Sequence, residues 1–143
     1  MSAITTIVVN DAATTPLAHT FSPGRQGLLG QSQIAEYEDR SANTGIPVGY
    51  YKVALDFSRP SKQRKSYRVN LKMSTPILEV LSNSTVSGIA PAPTVSYTPM
   101  VDCTFVIPER SSLQNRKDIR KMFYELLANA QVIAALEQLD APY

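Results

Sequence analysis

Tyr51-Lys52-Val53-Ala54-Leu55-Asp56-Phe57-Ser58 and, a few residues later, Ser66-Tyr67-Arg68-Val69-Asn70-Leu71-Lys72-Met73-Ser74 carry the same pattern twice. Successive side chains of a β-strand leave opposite faces of the sheet. Tyr51, Val53, Leu55 and Phe57 therefore share one face, and Lys52, Ala54, Asp56 and Ser58 share the other. In the second segment Tyr67, Val69, Leu71 and Met73 form the apolar row, with Ser66, Arg68, Asn70 and Lys72 opposite. Arg59-Pro60-Ser61 punctuates the two. A third segment, Tyr97 to Ile107, sets Val101, Cys103, Phe105 and Ile107 against Met100, Asp102, Thr104 and Val106. These alternations predict an antiparallel sheet with one apolar face that must be covered and one face that is polar and partly basic.

Outward from this centre, the first hundred residues are rich in Val, Thr, Ile and Tyr and carry turn residues about every ten positions. Further strands are expected at Ile4 to Asn10, Pro16 to Ser22, Ser32 to Arg40 and roughly Leu78 to Val86, with the central strand starting at Val48. Asn10-Asp11, Pro23-Gly24, residues 41–45 and the Ser87-Gly88 to Pro93 stretch read as turns and loops. The last thirty residues change period. Ser111 with Gln114 fits a capping box, and Ile119, Met122, Phe123, Leu126, Leu127 and Ala130 recur at helical spacing. Asn129 is the expected break, followed by a short second helix through Val132, Ile133, Leu136 and Leu139; one unbroken helix is the alternative. The fold class is α+β: an N-terminal hairpin, an antiparallel meander and two C-terminal helices. It reads as a single domain, β-rich over 1–107 and helical over 111–140.

Composition narrows the function. A chain of 143 residues with 43% hydrophobic and 18% charged residues is the size and balance of one globular domain. No apolar run approaches the roughly 20 residues of a membrane span, and the start has neither the basic nor the apolar region of a secretion signal. No membrane partner is expected. Cys103 is the single cysteine and reads as a small core side chain. His19 is the single histidine and has no second ligand at a metal or catalytic spacing. Gly24, Gly27 and Gly30 lack the strand-to-helix context and lysine of a phosphate loop. No enzyme activity, metal or cofactor is expected. The net charge is only +2, yet Arg59, Lys62, Arg64, Lys65, Arg68 and Lys72 lie in a stretch without acidic residues, just after Lys52. Seven of the 14 basic residues thus fall in one hairpin. A solvated surface is the ordinary explanation of such a cluster; on one face of a sheet it points to phosphate.

The order of these elements resembles the coat proteins of single-stranded RNA phages, the levivirus-type family. Ile34-Ala35-Glu36-Tyr37, Tyr51-Lys52-Val53, the Ser61-Lys62-Gln63-Arg64-Lys65 turn, and Ile107-Pro108 before the first helix are similar to segments of that family. The resemblance implies an obligate homodimer in which two sheets join edge to edge and each subunit lays its helices over the other. It further implies an icosahedral shell around single-stranded genomic RNA, found in the virion and assembled in the cytoplasm of the bacterial host. The loop Ser87, Gly88, Ile89, Ala90, Pro91, Ala92 and Pro93 would cluster at the symmetry axes. Carried over by position, the interior RNA-binding face would comprise Lys52, Ala54, Asp56, Ser58, Ser66, Arg68, Asn70, Lys72, Met100, Asp102 and Thr104, extended by Arg64 and Lys65 at the turn. An operator hairpin, and with it translational repression, would be read there. Ala54 and Asp56 depart from the Thr and Ser of better-known relatives, and Met100 from an aromatic. A carboxylate repels phosphate but can accept from a base amino group, so the sequence rule should differ. The rival reading is a cellular RNA-binding module; such modules stack bases on exposed aromatics, whereas Tyr51, Phe57 and Tyr67 fall on the apolar side.

Overall fold

The computed structural model describes residues 3–29, 32–79 and 91–141. The chain divides into two compact units, Met1–Val106 and Ile107–Tyr143. The first holds the sheet. Its strands are β1 (Ile7–Asn10), β2 (Ala18–Leu29), β3 (Ser32–Asp39), β4 (Tyr51–Ser58), β5 (Ser66–Ser74), β6 (Ile77–Leu78), β7 (Val95–Tyr97) and β8 (Met100–Pro108). Among the described residues, six of them form one sheet in the order β1-β2-β3-β4-β5-β8, and β6 pairs with β7.

The β4–β5 hairpin has the alternation its sequence requires. Ala54 lies opposite Lys72, Asp56 opposite Asn70 and Ser58 opposite Arg68, and on the other side Glu38 faces Lys52 and Glu36 faces Ala54. Cross-strand partners share a face, so the polar row of β4 is continuous with that of β5. Phe57 and Tyr67 meet on the opposite face, ring centroids 5.9 Å apart.

Three departures from the sequence reading have local causes. Pro23-Gly24 is not a turn: β2 runs through it to Leu29, with its register against β3 shifted between Pro23 and Arg25. β1 pairs only as far as Phe21, so beyond that point this side of β2 is an edge, where a proline and a bulge are tolerated. Val48 is not in β4, because Pro47–Gly49 closes a 3-10 turn first. The preceding residues Asn43, Thr44 and Gly45 all have positive φ, and the Asn43 amide donates to the carbonyls of Gly49 and Pro76. A Cβ on Gly49 would sit 2.8 Å from the Asn43 side chain, so this close approach requires glycine. Finally, the last strand is broken at Thr98-Pro99 into β7 and β8; Pro99 has no N–H to donate, and its carbonyl instead accepts from Thr75. Of the strand expected from Leu78 to Val86, residues 80–86 lie outside the described residues, as do Ser87, Gly88, Ile89 and Ala90 of the loop. Pro91, Ala92 and Pro93 are exposed and in no strand.

The helical unit contains α1 (Leu113–Leu127) and α2 (Ala130–Glu137). Ser112, not Ser111, is the N-cap of α1: its hydroxyl accepts from the Asn115 N–H, and Gln114 donates instead to Asp118. Asn129 separates the helices by capping the second, its side chain accepting from the Gln131 N–H.

Little of this surface is buried within one chain. Phe21, Tyr37 and Ala42 are the buried hydrophobic residues among those described, and no residue of either helix is buried. Leu71 and Val101 on the apolar face are 39% and 61% exposed, and Met122 and Leu126 on α1 are 57% and 54% exposed. No helix among the described residues is long and apolar enough to cross a membrane.

Candidate nucleic-acid interface

Three strands and a turn supply the residues singled out from the sequence. β4 contributes Lys52, Ala54, Asp56 and Ser58, β5 contributes Arg68, Asn70 and Lys72, and the β5–β8 pairing brings Met100, Asp102 and Thr104 alongside. Lys52, Ala54, Lys72, Ser74, Met100 and Asp102 line a hollow of about 220 Å³. Its rim carries two ammonium groups and its wall an apolar Met100 side chain, 77% exposed. Ser66 opens β5, and Lys65 just before it is exposed.

Two carboxylates on this face, Asp102 and Glu38, have partners. Asp102 takes a 2.6 Å hydrogen bond from the Asn70 amide and lies 3.1 Å from the Lys72 ammonium. The Asn70 hydrogen bond, then Lys72, hold the Asp102 carboxyl below the ordinary carboxylate value. Asn70 also donates to the Thr104 hydroxyl at 2.7 Å, so one amide staples β5 to β8. At the β3 edge, Glu38 lies 4.0 Å from Lys52 and 3.5 Å from Arg40. Sequence reading placed the basic row correctly but not these partners. Period-two parity, extended from Lys52 to Glu38 and Glu36 on β3, is the signal that would have put acidic residues on the same face.

Arg64 does something other than extend the patch. Its guanidinium donates to the Ser58 hydroxyl at 2.7 Å, to the Arg59 carbonyl at 2.9 Å and to the Ser66 carbonyl at 3.3 Å. Its backbone N–H and carbonyl both bond Ser61. It is the tie that closes the β4–β5 turn. His19 was likewise read as an isolated residue, yet its Nδ1 lies 2.8 Å from an oxygen of Asp39, which is 1% exposed, and its ring lies 5.3 Å from that of Tyr51. An ionised carboxylate only accepts, so this contact places the proton on Nδ1. The group fastens β2 to the ends of β3 and β4; among the described residues no three His, Cys, Asp or Glu side chains gather as a metal would require.

A sheet with an under-covered apolar face, a basic hollow on the other face and two C-terminal helices can be set beside known proteins. The family model described as levivirus coat protein matches residues 2–143. The chain belongs to the levivirus coat protein family. Among relatives, the capsid protein of Qbeta virus (strain MX1) is 30% identical over 98 residues, covering 68% of this chain and 69% of that protein. Among solved structures, the virus-like particle of bacteriophage ESE058 superposes with a TM-score of 0.89 at 41% identity, over 99% of this chain and 100% of the other. The bacteriophage GA protein capsid shares the fold at a TM-score of 0.66 and 17% identity, over 93% of each chain. The coat protein is therefore a structural component of an RNA phage capsid, and the cellular-module reading falls. The six-stranded antiparallel sheet followed by two helices is the levivirus coat protein fold.

Proposed function

We propose that this coat protein pairs into a homodimer, assembles into an icosahedral shell and binds single-stranded RNA on the polar face of its sheet. The observation that carries this reading is the division of the sheet. One face carries Lys52, Arg68 and Lys72, with Lys52 and Lys72 lining a hollow, and the other is apolar and only partly buried within one chain. Burying apolar surface contributes about 25 cal/mol per Å², so a half-bare face and two helices without a buried residue favour association with a second copy. The virus-like particles formed by relatives of the same fold support the shell. On the polar face, ammonium and guanidinium groups would pair with phosphates and set the register of the RNA, and base contacts would supply any preference. The operator hairpin and its repression of translation, the Ser87 to Pro93 loop as the contact at symmetry axes, and assembly in the host cytoplasm belong to the same reading.

The test is substitution on the face. Arg68→Ala combined with Lys72→Ala is expected to reduce packaged RNA several-fold, measured from the absorbance ratio of purified particles, while dimers persist on a sizing column. An unchanged RNA content would refute the assignment of that face.

A further inference from the structure

Asp56 is the anomaly of the polar face. It lies mid-way along β4, between Ile34 of β3 and Asn70 of β5. Its Oδ1 is covered yet accepts no hydrogen bond among the described residues. Folded proteins leave few buried polar atoms unpaired, and those that remain call for an explanation. The nearest amide donor across the strand pair is that of Asn70, but its two hydrogens go to Asp102 and Thr104 on β8. What Asn70 has left is a carbonyl oxygen, another acceptor. Glu38 and Asp102 on the same face have cations beside them, whereas among the described residues no ion pair holds Asp56. Asp56 therefore keeps a covered acceptor oxygen that no described residue satisfies.

We propose that Asp56 is a specificity-determining residue that selects an unpaired guanine, accepting from its N1–H and its N2 amino group. The proposal rests on the RNA-binding reading above and adds the base. An ionised carboxylate presents two acceptor oxygens side by side, and bidentate pairing to two parallel donors adds both strength and geometric selectivity. Guanine alone among the four bases carries two adjacent donors on its Watson–Crick edge. Adenine and cytosine set one amino group beside a ring nitrogen acceptor, and uracil sets one N–H between two carbonyls; each would turn an acceptor against the carboxylate. The terminal torsion of an aspartate is broad, so turning both oxygens toward the base is an easy motion. It would also give Oδ1 the partner it lacks. Lys52, Arg68 and Lys72 would hold the flanking phosphates and leave the choice of base to Asp56.

The experiment measures binding of the full-length protein to labelled RNA hairpins whose loops are uracil except for one variable nucleotide, walked through the loop. At the best position guanine is expected to bind about tenfold or more tightly than adenine. Inosine, which lacks the N2 amino group, should lose much of that advantage, and this comparison needs no variant protein. Asp56→Asn should abolish the preference, bringing guanine and adenine to equal affinity at that position. Equal binding of guanine, inosine and adenine, or a guanine preference that survives Asp56→Asn, would overturn the proposal alone. Failure to bind any hairpin at low salt would overturn the RNA-binding reading and this one with it.

Discussion

Replacing Arg64 with Ala removes three hydrogen bonds that close the β4–β5 turn. Net contributions of about 1 kcal/mol for each such bond put the expected loss at about 3 kcal/mol, read as a lower thermal midpoint. Lys65→Ala, on an exposed neighbour, should leave the midpoint unchanged and lower only RNA content. Equal midpoints for the two variants would contradict the structural role of Arg64. At this scale the face of each strand residue was legible, because parity depends on nothing beyond the strand itself: Lys52, Arg68 and Lys72 fall together as expected. The duties of Arg64 and Asn70 were not. One depends on the path of a turn and the other on which strand lies next to β5, and neither is written in local periodicity. Asp56 stood out in sequence by its charge, but its missing partner follows only from where the Asn70 amide is turned.

Two elements depend on single side chains at their ends. Asn129 caps α2, and Asn129→Ala is expected to weaken that helix by about 1 kcal/mol, visible as faster hydrogen exchange in residues 130–137. Asp39 fastens His19 and Ser41 at the end of β3. Burial disfavours its ionised form, but hydrogen bonds from the Ser41 hydroxyl, from His19 and from the Ser41 N–H outweigh burial and leave the carboxyl below its ordinary value. A depressed carboxylate contributes stability that is fully present above the unfolded value, about 4, and is lost as pH falls through the lower folded value. Asp39→Asn should therefore flatten the acid limb of a curve of thermal midpoint against pH; an unchanged limb would refute the assignment. The helices and the central strands were legible because their periods of 3.6 and 2 persist over many residues. Pro23-Gly24 misled because a proline marks a turn in most contexts, and the edge position that tolerates it arises only once β1 stops at Phe21.

For the whole molecule, the deciding quantity is apolar surface. Among the described residues, Phe21, Tyr37 and Ala42 are a small hydrophobic core, and a folded domain must bury more than this to offset the loss of chain entropy. The apolar rows and their need of a cover were legible in the sequence, but what supplies the cover was not, because coverage is a property of partners. Met122→Glu, on an α1 side chain 57% exposed in the single chain, is expected to block association and leave unstable monomers on a sizing column. Normal dimers from this variant would exclude that face of α1 from the interface. The most direct test of the central claim is electron microscopy of the protein expressed alone and purified. Uniform closed particles containing host RNA are the result expected. Monomers or small oligomers at every salt and protein concentration would contradict it.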